Sequence, residues 1–239
     1  MFNKFKNKTI IVTGHTGFKG SWLTLWLKLL GAKVVGISID LPSKPSHYKE
    51  LNLSKKIINI KQDIRSLKKL EKIFQKYQPD FIFHLAAQAL VQRSYKDPVT
   101  TFNTNTIGTM NVLESLKKIK KKFAAVIITS DKSYKNIEIK RGYHENDLLG
   151  GKDPYSASKG AAEIIIQSFI NSYFINKKQN VAIARAGNVI GGGDWSENRL
   201  IPDCVKSWSK NKKAKIRNPK STRPWQHVLE AVRGYLRLA

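Results

Sequence analysis

The chain has 239 residues, 41% of them hydrophobic, enough for one large domain, or a main domain with a partial second one, around an ample core. Lys and Arg number 43 against 17 Asp and Glu, a formal charge of +26, but the cations are scattered and no RNA- or DNA-binding motif accompanies them, which argues against a specific nucleic-acid partner. The single cysteine, Cys204, excludes an internal disulfide, and the apolar run after the lysine-rich N-terminus is too short for a signal sequence or membrane span, so a cytoplasmic protein without a membrane partner is expected.

In chain order the first element is the apolar run Thr9-Ile10-Ile11-Val12, followed by Thr13-Gly14-His15-Thr16-Gly17-Phe18-Lys19-Gly20 and a helical pattern over residues 21–30. This predicts strand, glycine turn, helix. Glycines let a backbone approach a pyrophosphate, and the free N–H groups and positive dipole of a helix start attract its charge. The spacing G-x-x-G-x-x-G is one residue longer than the usual dinucleotide fingerprint, and an ordinary tight turn shares it. At the head of a βαβ pattern it marks Gly14, Thr16, Gly17, Phe18, Lys19 and Gly20 as candidate cofactor-binding residues.

Further β-branched runs fall at residues 33–39, 56–60, 80–84, 123–129 and 180–184, separated by helical patterns at 66–77, 105–119 and 155–174. The alternation predicts an α/β fold, a Rossmann-type doubly wound parallel sheet. After Arg185 the pattern changes. Gly191-Gly192-Gly193 and the segments broken by Pro202, Pro219 and Pro224 read as loops and short elements. The expected division is a dinucleotide-binding domain over residues 1–185 and a smaller lobe over 186–239.

Tyr155 and Lys159 stand four residues apart at the start of the last long helical pattern, which places both on one face. A free phenol titrates at about 10, and a nearby ammonium favours the phenolate, so such a pair can take a proton from a sugar hydroxyl and leave it able to release hydride. Alone, the spacing also fits a solvated helix face.

Gly14-x-x-Gly17-x-x-Gly20, His84-Leu85-Ala86-Ala87, Asn105-Thr106-Ile107-Gly108-Thr109 and Tyr155-x-x-x-Lys159 occur together in this order. The set resembles the extended short-chain dehydrogenases, the NAD-dependent epimerase/dehydratase family, that modify nucleotide sugars. The longer stretches around Gly14–Leu23, Gly187-Asn188-Val189-Ile190-Gly191-Gly192-Gly193-Asp194-Trp195 and Arg223-Pro224-Trp225-Gln226-His227-Val228 are similar to the CDP-glucose 4,6-dehydratases among them.

Members of that family continue well beyond the position of Ala239, so the resemblance implies a partial substrate-binding lobe over residues 186–239, and it implies a sequence of chemistry. Tyr155 takes the proton of the sugar C4 hydroxyl, Lys159 lowers the tyrosine pKa and bonds the nicotinamide ribose, and Ser130 hydrogen-bonds the reacting oxygen. The C4 ketone acidifies C5, so elimination across C5 and C6 needs one acid and one base, for which Asp131 and Lys132 are the candidates. Related dTDP-glucose dehydratases carry glutamate where Lys132 stands. A lysine base must be neutral, and the alternative is that Lys132 merely pairs with an anion. Hydride returns to C6, giving a 4-keto-6-deoxy sugar.

NAD is the implied cofactor, although Ser38 occupies the position where an acidic residue usually bonds the ribose, with Asp40 two residues on. Asp63 and Ile64 resemble an adenine-contacting pair, with a helix cap the alternative for Asp63. Ala86 and Ala87 are small where the fourth strand would pass the cofactor. Asn188 and Arg223 match substrate-contacting positions, while Arg199 and Arg217 are further substrate candidates that a surface role fits equally. His15, His84 and His227 lack metal-ligand spacing, so no metal is expected. The implied partners are a nucleotide sugar, CDP-glucose, and a second copy of the chain joined through helices 105–119 and 155–174. An epimerase or reductase sharing the same residues, or a cofactor-binding fragment without activity, are the competing readings.

Overall fold

The computed structural model describes residues 2–177 and 179–239. The first half alternates as β1 (Thr9–Thr13), α1 (Phe18–Leu29), β2 (Lys33–Ser38), α2 (His47–Glu50), β3 (Ile58–Lys61), α3 (Leu67–Tyr77) and β4 (Phe81–His84). Then come α4 (Val91–Lys96), α5 (Pro98–Phe102), α6 (Gly108–Leu116), β5 (Ala124–Ile128), α7 (Pro154–Phe169) and β6 (Asn180–Ala184). The remainder is β7 (Asn188–Ile190), α8 (Leu200–Trp208), β8 (Trp225–His227) and α9 (Val228–Leu238).

The main sheet has six strands in the order β3-β2-β1-β4-β5-β6, every pairing parallel, as the βα alternation requires. Helices cover both faces, so the central strands are apolar throughout rather than alternating; all of β5 is buried. Successive side chains of β1 still point to opposite faces. Ile10 and Val12 meet Leu23 and Leu27 of α1, while Ile11 joins Leu70 and Phe74 of α3 and Leu113 and Leu116 of α6. Each such fully buried aliphatic side chain contributes about 1.5–3 kcal/mol.

The structure differs from the sequence reading in three places. The helix expected over 105–119 starts earlier, at Pro98, because the Asp97 carboxylate accepts a hydrogen bond from Thr100 N at 3.0 Å and proline suits the first turn. Between α5 and α6 the path passes through a π-helical turn, Asn103–Ile107. A second π turn, Ile170–Phe174, follows α7. Thirdly, α9 turns Val228, Ala231, Val232, Tyr235 and Leu236 inward at helical spacing, and they join the core beneath β1 and α1. The core therefore runs across the division drawn at residue 185. The intervening segment forms a separate two-stranded parallel ribbon, β7 with β8, and α8.

Candidate active site

The turn after β1 is shaped by close approach. Gly14 has φ +73°, and a Cβ there would lie 2.6 Å from the backbone nitrogen of Ala86, which leaves the end of β4. A side chain at Gly17 would meet only the Gly14 carbonyl, at 3.3 Å, and otherwise points to open space. The N–H groups of Phe18 and Lys19 have no acceptor among the described residues. A glycine-floored hollow with free helix N–H groups fits a dinucleotide pyrophosphate.

At the end of β2 the Ser38 hydroxyl is engaged by His15 Nδ1 at 3.0 Å and by the Thr16 N–H at 3.4 Å, while His15 Nε2 meets Asn59 Oδ1 at 2.8 Å. Thr16 Oγ1 donates to the Asp40 carbonyl at 2.6 Å. Beside them is a cavity of about 430 Å³, lined among others by Thr16, Ser38, Asp40, Tyr48, Asn59 and Lys61, at the strand end where a doubly wound fold receives the adenosine ribose. Asp63 is fully occupied by Arg65, accepting its backbone N–H at 2.8 Å and its guanidinium at 2.9 and 2.6 Å; those bonds hold its carboxyl below the usual range. Ile64 is buried, and a Cβ at Gly108 would lie 2.6 Å from its Cδ1. The helix cap offered as the alternative for Asp63 is not formed: Ser66 stands at the N-cap position of α3, and Asp63 closes a turn with Arg65 instead. Ala87 is half-buried beside Ala86 at the end of β4.

The first turn of α7 carries Tyr155 and Lys159. Asp153 caps it by accepting from Ser156 N at 3.0 Å, and Pro154 takes the first helical position. Tyr155 N donates to Ser94 Oγ at 3.1 Å, and the π turn braces the helix from the other side: Asn105 Nδ2 donates to Ser158 Oγ at 2.9 Å and Thr106 Oγ1 to the Ser158 carbonyl at 3.1 Å. Tyr155 is 8% exposed and Lys159 5%. Burial, then repulsion from Lys19, lowers Lys159 to about 8, with Glu163 opposing. Burial also raises Tyr155, against the opposing influence of the Ser130 hydroxyl and the charge of Arg199. The expected acidification of the phenol by Lys159 is not met. Desolvation outweighs it, and Arg199 is the cation that acts on Tyr155.

Ser130 follows β5 and caps a short 3₁₀ turn, Asp131–Ser133, accepting from Lys132 N at 3.2 Å and donating to Asp131 Oδ1 at 3.0 Å. Lys132 Nζ reaches the same carboxylate oxygen at 3.1 Å and Asn188 Oδ1, from β7, at 3.5 Å. Lys132 thus stands in an ion pair. Ser130, Asp131, Lys132, Tyr155, Lys159 and Asn188 form one cluster, and Arg199, paired with Asp194 at 3.0 Å, acts on it electrostatically. Arg217 instead grips Asn198 at 3.1 and 2.9 Å, and the exposed Arg223 guanidinium donates to the neighbouring Thr222 carbonyl at 2.6 Å. Trp225 is 40% exposed on β8.

Glu163 escaped the sequence reading, and His84 was given no role there beyond its place in a motif. Glu163, wholly buried one turn beyond Lys159, accepts from Thr129 Oγ1 at 2.6 Å, Ser133 Oγ at 2.8 Å and Arg185 Nε at 2.9 Å. The Arg185 guanidinium lies 4.4 Å from the centre of the Tyr134 ring. A glutamate on the Lys159 face of the helix was the available signal. His84, the first residue of its motif, is held between Thr13 Oγ1 at 2.7 Å and Thr109 Oγ1 at 3.0 Å; burial, with a smaller contribution from Lys159, pushes it down to about 3. It is a neutral strut joining β1, β4 and α6.

Known proteins bear the same pattern. Residues 11–239 match the family described as GDP-mannose 4,6 dehydratase. The chain is 48% identical over 242 residues to CDP-glucose 4,6-dehydratase of Salmonella typhimurium, covering 99% of this chain and 67% of that protein. It is 32% identical to dTDP-D-glucose 4,6-dehydratase of Dictyostelium discoideum, covering 95% of this chain and 54% of the relative. The chain therefore spans about half to two thirds of the length of these relatives. Among solved structures, an epimerase of Methanothermobacter thermautotrophicus superposes with TM-score 0.86 at 27% identity, covering 98% of this chain and 68% of that one. UDP-glucose 4-epimerase of Thermotoga maritima with UDP-glucose gives 0.83 at 24% identity over 95% of this chain and 72% of that one, a likeness of fold. With a family match that runs from β1 to the end of α9 and a site assembled from the same motifs, the chain belongs to the GDP-mannose 4,6 dehydratase family.

Proposed function

We propose that the chain carries the catalytic part of an NAD-dependent nucleotide-sugar 4,6-dehydratase, a hydro-lyase that converts CDP-glucose to CDP-4-keto-6-deoxyglucose and water. The observation that carries this reading is the meeting of Ser130, Asp131, Lys132, Tyr155 and Lys159 in one cluster, at the same strand ends as the glycine hollow. The choice of CDP rests on the 48% identity to a CDP-glucose enzyme.

Phe18 and Lys19 N–H groups would hold the pyrophosphate, and the cavity beside Ser38 and Asp40 the adenosine ribose. Bound there, NAD supplies a hydride acceptor for C4 and a donor for C6. Tyr155 would take the C4 hydroxyl proton as the phenolate, a form that the Ser130 hydroxyl and the charge of Arg199 favour against burial. Asp131 and Lys132 would act as acid and base once a proton has passed from the Lys132 ammonium to the Asp131 carboxylate beside it: Asp131 would then protonate the departing C6 hydroxyl and neutral Lys132 would remove the C5 proton. Asn188 reaches the cluster from residues 186–239, which would carry the sugar-nucleotide contacts, with Arg199 nearest and Arg217 and Arg223 further out.

A homodimer fits the helical layer of α4 to α7, whose exposed apolar residues include Tyr95, Val99 and Ile164. No described helix is long and apolar enough to cross a membrane, and a cytoplasmic setting suits soluble nucleotide-sugar substrates. The test is to incubate the protein with NAD and CDP-, UDP- or dTDP-glucose and follow the ultraviolet band of a 4-keto sugar. The expected result is a band with CDP-glucose above the others. Turnover of UDP- or dTDP-glucose but not CDP-glucose would refute the narrower assignment.

A further inference from the structure

The cations that lie scattered along the sequence are gathered by the fold. In a parallel sheet every strand starts on the same edge, and here that edge is opposite the one where Gly14 and Ser130 follow their strands into the candidate site. In the five residues ahead of each of the six strands the only acid is Asp80, and every cation is a lysine. Lys6 and Lys8 precede β1, Lys33 opens β2, and Lys120, Lys121 and Lys122 precede β5, all of them exposed. Strands stand about 4.8 Å apart, so the starts of the adjacent β2, β1, β4 and β5 span only about 15 Å. Neighbouring charges there lie within roughly a Debye length of one another and reinforce each other. Asp80, ahead of β4, holds Lys121 at 2.7 Å and Lys8 at 3.9 Å; Lys6, Lys33, Lys120 and Lys122 have no carboxylate within 4.0 Å among the described residues. The opposite edge instead pairs its charges, Asp63 with Arg65 and Asp131 with Lys132. The lysine edge also bares apolar side chains. Leu29, where α1 ends ahead of β2, is 77% exposed, the highest among the large apolar side chains described, and Ile175, ahead of β6, is 60% exposed.

We propose that this strand-entry edge docks on the surface of an anionic lipid bilayer, its lysines against headgroup phosphates and Leu29 and Ile175 dipping into the interface. Ammonium groups are drawn to a negative leaflet, and exposed aliphatic side chains beside them gain by leaving water at the headgroup boundary. The edge lacks the arginine forks with which proteins read bases and grip a nucleic-acid backbone, which favours a bilayer over a nucleic acid. Such docking needs no spanning segment, and no described helix is long and apolar enough to be one. It leaves the candidate site on the far edge of the sheet, open to soluble ligands.

The test is cosedimentation of the protein with vesicles of phosphatidylcholine alone and of phosphatidylcholine mixed with phosphatidylglycerol. Binding is expected to the mixed vesicles, weakening as salt rises, and not to the neutral ones. A lysine near an anionic surface is worth a factor of about five, so the combined variant Lys6→Glu, Lys33→Glu and Lys122→Glu should bind at least roughly a hundredfold more weakly. A control with Lys212→Glu, Lys213→Glu and Lys215→Glu, exposed positions between α8 and β8, makes the same change in net charge and should stay close to the parent. Leu29→Ser should weaken binding by roughly tenfold at every salt concentration. Thermal melts verify folding, with Lys6→Gln, Lys33→Gln and Lys122→Gln as the second set should the reversed variant melt early. Equal losses in the edge and control variants would reduce the effect to overall charge and overturn the proposal, as would failure of the parent to bind the mixed vesicles. Capture by duplex DNA that the edge variant loses, with no binding to vesicles, would assign the face to nucleic acid and overturn it as well.

Discussion

Lys132 illustrates how one residue's chemistry depends on its partner. Its ammonium sits 3.1 Å from Asp131, so it can act as the C5 base only after giving up a proton, for which that carboxylate is within reach. Lys132→Ala is expected to abolish exchange of the C5 hydrogen in deuterated water while leaving cofactor binding intact. Undiminished exchange would leave Lys132 as a pairing residue only. Lys159 gives a second expectation. Its value is lowered from 10.5 to about 8, so between those values the unfolded chain binds more protons than the folded one, and stability rises with pH across that window. Urea midpoints measured from pH 8 to 10.5 should climb in the parent and climb less in Lys159→Met; identical slopes would contradict the buried placement. The pair itself was legible in the sequence because helical spacing fixes the shared face. The sign of the tyrosine shift was not, since it depends on desolvation by residues far apart in the chain.

At the scale of elements, α7 is held by the buried pair of Glu163 with Arg185, which joins the catalytic helix to the strand ends of β5 and β6. Breaking such a pair leaves a guanidinium without its partner. Glu163→Gln is expected to cost about 3 kcal/mol, read from the urea midpoint, with slower turnover from a loosened helix. A change under a few tenths of that would mean the hydroxyls of Thr129 and Ser133 suffice. The strands of the main sheet could be read from their apolar runs, to within a residue or two, because buried parallel strands need no alternation. The π turns and the early start of α5 could not. Thr100 and Thr101 obscure the helical pattern there, and the Asp97-Pro98 cap was the overlooked signal.

For the whole molecule, the core unites the first strand with the last helix, so residues 228–238 support the cofactor-binding sheet despite following the substrate segment. Sequence order hid this, because a core contact between α1 and α9 spans nearly the whole chain. The helical layer opposite exposes Val99 at 70% and Ile164 at 61%, a face suited to a second copy. Sedimentation should find a dimer that Val99→Glu combined with Ile164→Glu converts to a folded monomer; an unchanged dimer would place the contact elsewhere. All these features converge on transient oxidation at C4 with the same hydride returned to C6. Its most direct test is the fate of label from CDP-glucose carrying deuterium at C4. The account predicts a 4-keto-6-deoxy product with that deuterium at C6, formed by the parent protein and not by Tyr155→Phe. Product lacking the label at C6, or equal conversion by the phenylalanine variant, would contradict it.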